Sequence, residues 1–309
     1  MSKYFDTQNL SFMAPEVKEN GRHMVMTNVH KDVKTKYVNI DTRFQEEYND
    51  AKYAECKCKL PQTISNVQSI KATNLELPIS FYNFSLQKKN TYFAIEDLSN
   101  STLEVVLIDD GNYSDLSTLV SELNSEINTA GVSGVSVTLS ATAQKIEFDC
   151  SSSAVDLKFH FNVDEKGQTD KNNLKSKLGW MLGFREPTYQ VVANGSLMSE
   201  SFVNLHSHRY IYLSIDEFSQ TKPNSFITPS FNYDMNSNVL ARISLDPNTY
   251  AFGSVLCASN SGGKLLSDRR TYGGKTDIQK LHIQLLDETG NLVDLNRMDF
   301  SFTLEIEYL

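Results

Sequence analysis

From Tyr37 onwards the chain alternates apolar and polar residues in short bursts, each ended by proline, glycine or a polar cluster. KYVNIDTRF, AKYAECKCKLP, VQSIKATNLELP and YFAIED all follow this rhythm. A period of two puts successive side chains on opposite faces, so these segments predict strands with one dry and one wet face, as in antiparallel sheets. Pro61 and Pro78 are expected to close their strands, because proline cannot donate to a ladder.

The rhythm then changes. After the strand LEVVLI, the turn DDGN leads into a stretch where Leu116, Leu119, Val120, Leu123 and Ile127 recur at helical spacing, with Ser114 or Asp115 placed to cap the start. VSVTLS, KIEFDC and LKFHFNV read as strands, DEKGQTDKNN as a loop, and LKSKLGWMLGF as a short helix stopped by Gly183 and Pro187. Alternation returns in RYIYLSIDEF, VLARISL, YAFGSVLC, LHIQLLD and MDFSFTLEIEYL. LLDETGNLVDL reads as a hairpin-like turn in which Gly290 and Asn291 supply the unusual backbone angles.

Roughly ten strands and one good helix predict a mainly β fold, an antiparallel β-sandwich of single jelly-roll type with a small α/β insertion. The expected division is an extended N-terminal arm over 1–36, a sandwich core over 37–104 and 186–309, and the insertion over 105–185. No internal repeat of fixed period is present, and a double jelly roll needs more chain than 309 residues. The arm is polar with scattered cations (Lys18, Arg22, Lys31, Lys34, Lys36). Its plainer reading is a disordered tail; the other is a strap that orders against a neighbouring subunit.

Composition sharpens this picture in two respects. The 17 Phe and 14 Tyr fall mostly inside alternating segments, which favours β structure. A formal charge of −9 argues against nucleic acid as a main partner, since phosphate binding needs a clustered basic face. Lys88-Lys89 and Arg269-Arg270 do not make one and read as solvated turn residues. No segment approaches the ~20 apolar residues of a membrane span, and MSKYFDTQNLSF lacks the apolar stretch of a secretory signal. Cys56, Cys58, Cys150 and Cys257 are therefore expected as thiols, and the N-x-S/T triplets at Asn83, Asn100, Asn112 and Asn194 as chance matches.

Candidate chemistry is thin. Neither a nucleophile elbow nor a Walker-type loop occurs, and the pairs Gly262-Gly263 and Gly273-Gly274 read as hairpin loops. His206 and His208 could present two rings on one sheet face, but no third ligand follows in a matching motif, so a structural pair at a strand entrance is favoured. Asp109, Asp110 and Asn112 crowd one loop without EF-hand spacing, and turn chemistry explains them. Trp180, among Leu178, Met181, Leu182 and Phe184, reads as core. No catalytic, cofactor-binding or metal-ligating residue is assigned, no cofactor is expected, and an enzyme is not expected.

Three stretches in order carry a resemblance. YVNIDTRFQEEYNDAKYAECKCKLPQTISNVQSIKATNLELPISFYNFS resembles the opening of virion structural proteins of nucleocytoplasmic large DNA viruses. There an I-D-S/T-R-F/Y start is followed by a strand ending in Leu-Pro, then N-V-x-S-I/M, then E-I/L-P. DGNYSDLSTLVSELNSEIN with the later LGWMLGFR, and the tail YGGKTDIQKLHIQLLDETGNLVDLNRMDFSFTLEIE, are similar to segments of the same proteins. The matched stretches run from about residue 37 to the C-terminus.

The resemblance implies a minor capsid or penton-type component of the virion shell, made and assembled in the host cytoplasm. It implies contacts with the major capsid protein and further minor capsid proteins, and a homotrimer or homopentamer; nucleic acid is argued against by the charge of −9 alone, and contact with an inner membrane stays open. It brings no catalytic residue with it. The arm and the loop Asp164–Asn173 are the candidate contacts. The alternative is a receptor- or glycan-binding attachment module using Tyr250, Phe252 and Tyr272.

Overall fold

The computed structural model describes residues 32–44, 53–140, 142–170, 174–218, 238–246 and 250–309, and the backbone of 16–20 and 23–27. In the arm, β1 (Glu16–Asn20) and β2 (His23–Thr27) pair antiparallel with each other. That stretch doubles back on itself where an extended strap is expected; the rest of the arm before residue 32 lies outside the described residues. β3 (Lys34–Asp41) and β4 (Glu55–Pro78) open the main unit.

A second unit follows with β5 (Tyr92–Asp97), β6 (Thr102–Leu107), α1 (Leu116–Thr129), β7 (Ser136–Ser140) and β8 (Lys145–Asp149). It continues through β9 (Leu157–His160), α2 (Leu178–Met181), β10 (Thr188–Val191) and β11 (Ser196–Met198). The chain then returns to the main unit through β12 (Tyr210–Asp216), β13 (Val239–Ser244), β14 (Val255–Ser259), β15 (Leu265–Ser267), β16 (Arg270–Leu286) and β17 (Ser301–Tyr308).

The fold is mainly β, and every strand pairing among the described residues is antiparallel, as the alternation predicts. In the main unit the strands form one sheet in the order β15-β13-β12-β16-β4-β17-β3, with β14 also paired to β4. β4 runs unbroken for 24 residues, so Pro61 does not end it. Pro61 lies where the register slips between the Lys59–Lys280 and Ile64–Ile278 pairs and before β17 joins at Val67. A proline without an N–H is tolerated at such an edge or bulge. Gly273 and Gly274 likewise sit inside β16, between the Thr271–Ser69 and Thr276–Val67 pairs, and not in a loop.

Side chains tie the first strand of this order back to β4. Ser267 Oγ accepts from the Ala72 N–H at 3.1 Å and donates to the Leu240 carbonyl at 3.1 Å. Asn260 Nδ2 donates to the Ala72 carbonyl. The sheet therefore curls around its inner residues, among them Ile64, Val67, Ile70, Leu213, Ile243, Leu256, Ile283 and Leu304, all buried. Each such side chain contributes ~1.5–3 kcal/mol by leaving water.

The second core draws on residues from Phe84 to Val203, a wider span than 105–185. β5 pairs with β6 and β9, β10 with β9, and β11 with β8, so these strands hydrogen-bond within the second unit and not with the main sheet. α1 buries Leu119, Leu123 and Ile127, with Leu116 and Val120 at the margin. Asp115 is its N-cap residue, and the Asp115 carboxylate accepts from Ser117 Oγ.

Phe93, Phe148, Phe159, Phe161 and Phe184 fill the centre of this unit, with Phe161 stacked on Phe184 at 4.6 Å. Both glycines of LGWMLGF are explained by close approach. A Cβ on Gly179 would lie 2.3 Å from the Phe161 ring, and Gly183, at φ +102, would bring one 2.2 Å from the Ser201 carbonyl oxygen. Trp180 is half-buried and not core: its ring lies under Arg185 at 4.3 Å and Lys175 at 5.8 Å, while Leu178, Leu182 and Phe184 take the inward positions.

The two units are joined by a buried polar seam. Asn83 Nδ2 donates to the Tyr113 and Leu205 carbonyls, both at 2.9 Å, and its Oδ1 accepts from the Phe84 and Tyr113 N–H groups. Lys88 is no solvated turn residue: its Nζ donates to the Tyr82 carbonyl and to Ser207 Oγ at 2.6 Å. Burial pushes that ammonium down to about 8 against the pull of Asp287, Glu288 and Asp294.

Glu288 accepts from His208 Nδ1 at 3.0 Å and from the Arg209 N–H at 2.7 Å. Burial pushes its carboxyl up, but the His208 bond and charge together with the Arg209 N–H outweigh this and hold it below the usual range. A carboxyl held low contributes stability above its unfolded value of ~4.3 and loses it as pH falls through the folded value. Glu288→Gln is therefore expected to lower stability at neutral pH and to flatten its decline on acidification. Urea unfolding at stepped pH checks this, and an unchanged acid slope would refute it.

In the turn after β16, Gly290 takes φ +89 as expected. Asn291 needs no positive φ; its N–H instead donates to the Asp287 carboxylate at 2.9 Å.

Candidate assembly surface

The segment Ile40-Asp41-Thr42-Arg43-Phe44 ends β3 at Asp41 and closes in one 3-10 turn, Thr42–Phe44. Ile40 points into the core. Thr42 is clamped to the start of β17, its N–H donating to the Phe300 carbonyl at 3.1 Å and its Oγ1 to Asp299 at 2.8 Å, while the Phe300 N–H donates to Oγ1 at 3.0 Å. Arg43 folds back on Asp41, with Nε 3.0 Å and Nη2 2.5 Å from its two carboxylate oxygens. That guanidinium holds the Asp41 carboxyl below its ordinary range. With Thr42 and Arg43 fixed, Phe44 stands outward at 80% exposure, and Met298 beside Asp299 is also exposed.

The neighbouring outward face carries charge. Asp41, Ser301 and Glu76 form one row across β3, β17 and β4. Arg269 bonds Glu305 at 3.4 Å and Glu307 at 2.6 Å on the same sheet. At the other end of β4, Lys59 lies opposite Lys280 on β16, and Lys57 opposite His282. Lys57, Lys59 and Lys280 are exposed, while His282 bonds Glu55 at 2.7 Å.

Arg270 departs from the solvated reading of the Arg269-Arg270 step. It is 2% exposed, and its guanidinium meets Glu217 at 2.7 Å and the carbonyls of Ile215 and Asn238. Tyr272 stands beside this pair, buried, and its hydroxyl is pushed up by burial and then by the Glu217 charge.

The other residues singled out by sequence are scattered. His206 is exposed, while His208 is buried against Glu288 and edge-on to Phe81, so the two rings do not share a face. Asp110 accepts from the Leu86 N–H, and the Asp109 carbonyl from Tyr113 Oη, which is turn and junction work. Of the three candidate glycan-binding aromatics, Phe252 is exposed and stacks on Tyr82, Tyr250 is half-buried under Lys264, and Tyr272 lies in the core. The four cysteines are free, and burial pushes the Cys56 thiol up to about 12. In the loop 164–173, Asp164 accepts from the Lys166 and Gln168 N–H groups, and Asp170 bonds the buried Lys177 at 2.7 Å. Residues 171–173 lie outside the described residues. Among the described residues no group of three His, Cys, Asp or Glu is placed to hold a metal, and no helix is long and apolar enough to cross a membrane.

The exposure of Phe44 and the burial of Arg270 both depart from what their sequence neighbours suggest. The Asp-x-Arg spacing of Asp41 and Arg43 was the available signal for the first; nothing local marks the second.

No protein-family model matches the chain, and no curated protein matches it. Among solved structures it is similar to the crystal structure of the mavirus penton protein, with 12% sequence identity and a TM-score of 0.45, over 90% of this chain and 100% of that one. It is also similar to a chain in the cryo-electron microscopy structure of the Sputnik virophage, with 14% identity and a TM-score of 0.41, over 89% of this chain and 98% of that one.

Proposed function

We propose that this chain is a structural component of a virus particle, a minor capsid or penton-type protein that assembles with the major capsid protein and further minor capsid proteins. The observation that carries the reading is the exposed Phe44 beside the clamped Thr42: the I-D-T-R-F motif behind the family resemblance leaves an aromatic in solvent and is suited to contact with a neighbouring subunit. The arm and the loop 164–173 supply further contacts in this reading, and the shell of the virion is where the protein resides.

Phe44→Ala is expected to leave the thermal midpoint nearly unchanged, because an exposed side chain contributes within ~0.5 kcal/mol to stability. It is expected to weaken incorporation into particles by an amount corresponding to ~2 kcal/mol, as for an interface anchor. Deletion of residues 1–31 is expected to leave the sheet folded, since β3 begins at Lys34, and to lower incorporation. Counting copies per purified particle against the parent chain checks both; normal copy number in both variants would defeat the proposal.

A further inference from the structure

Ser207 holds its hydroxyl against a buried amine. It lies between His206 and His208, in the stretch that leads from the second unit back to β12, and is only half-buried. Its Oγ is 2.6 Å from Lys88 Nζ. Both groups also donate to the Tyr82 carbonyl, which fixes the amine and the hydroxyl side by side. Burial pushes the Lys88 ammonium down to about 8, against the opposing charge of Asp287, Glu288 and Asp294. An amine of that kind gives up its proton at a pH where an ordinary lysine stays charged. His208 takes no part, since its Nδ1 is engaged by Glu288. A hydroxyl within hydrogen-bond reach of a base that a third group orients is the arrangement of an activated nucleophile. The N–H groups of Ser207 and His208 have no acceptor among the described residues, so both are free to meet an oxyanion.

We propose that Ser207 and Lys88 form a serine–lysine pair that cleaves carboxylic esters by acyl transfer, an activity separate from the role in the shell. Ser207 Oγ attacks the ester carbonyl carbon, and its proton passes to the neutral Lys88 amine. As the C–O bond breaks, the departing alkoxide takes that proton from Lys88 and leaves as the alcohol, with the acyl group on Ser207. Water then attacks the acyl carbon with Lys88 as base again, and the carboxylic acid leaves as Ser207 regains its proton. An ester fits better than an amide, because an alkoxide is the easier group to expel and Lys88 has a single proton to offer it. The base is available once the amine is neutral, so the activity rises with pH and levels off above about 8.

The test exposes the full chain to a fluorophosphonate probe and, separately, to p-nitrophenyl acetate, and locates the modified residue by peptide mass spectrometry. Ser207 is expected to carry the label, and p-nitrophenol release is expected to follow the same pH profile. Both rates are expected to fall at least ~100-fold in Ser207→Ala and in Lys88→Arg. Arginine keeps a cation and its donors beside Tyr82 but cannot take up a proton, so it separates a base from a merely structural clamp. Thermal midpoints serve as the folding control, and the pH profile of the parent chain reads the same base without any substitution. A chain that takes no label at Ser207, or whose labelling is unchanged in Lys88→Arg, overturns the pair. A rate that climbs with pH without levelling off above about 8 overturns it as well.

Discussion

Arg270→Ala is expected to destabilise the main unit by about 3–5 kcal/mol, a large share of what holds an ordinary domain folded. The guanidinium is 2% exposed and the Glu217 side chain 0%, so the substitution strands a carboxylate in the core with no water to take up its charge. It also leaves the carbonyls of Ile215 and Asn238 without the donors that now reach them at 2.8 and 2.7 Å. The pair itself adds little over an apolar filling of the same volume, because removing two ions from water offsets most of their attraction. The variant carrying both Arg270→Met and Glu217→Leu is therefore expected to be more stable than Arg270→Ala alone. Equilibrium unfolding in urea decides this, and a double variant less stable than the single one would show that the pair is attractive well beyond its desolvation.

Asn83→Ala is expected to cost about 3 kcal/mol, because one buried amide satisfies two donors and two acceptors where the units join. Phe84 keeps a second partner in the Gly111 carbonyl, but the Tyr113 N–H loses the Asn83 oxygen and two carbonyls lose their amide donor. Asn83→Asp is expected to be at least as damaging at neutral pH, since a carboxylate oxygen would then face the Tyr113 and Leu205 carbonyls. Part of the loss should return on acidification, when the protonated acid can donate to one of them. Thermal unfolding of both variants at neutral and mildly acidic pH checks the pattern. An Asn83→Asp protein as stable as the parent would contradict the hydrogen-bond assignment.

What could be read in the sequence was whatever depends on short-range periodicity. The alternation in Lys34–Asp41 and Ser301–Tyr308 and the helical spacing from Leu116 to Ile127 each gave the right element. The continuity of β4 was hidden because Pro61 is a local stop signal, and only the missing second neighbour and the slipped register make it harmless. Short strands such as Ser196–Met198 and Leu265–Ser267 were hidden because three residues show no period. β5, β10 and β11 could not be assigned to a unit from sequence, since their partners are set by pairing across the fold.

The site was legible only in part. I-D-T-R-F stands out as a motif, yet the placement of its residues depends on Thr42 meeting Asp299 and Phe300 from the far end of the chain. Arg270 and Tyr272 looked like surface residues because charge and turn neighbours suggest exposure, and only the curl of the sheet carries them inside. Of the three aromatics proposed for glycan contact, the same curl removes Tyr272.

The most direct test of a structural role in the shell is the copy number of this chain in purified virus particles, taken by quantitative mass spectrometry against the major capsid protein. A fixed ratio that survives high-salt washing and falls when Phe44 is truncated is expected. A chain abundant in infected cells yet absent from washed particles would contradict it.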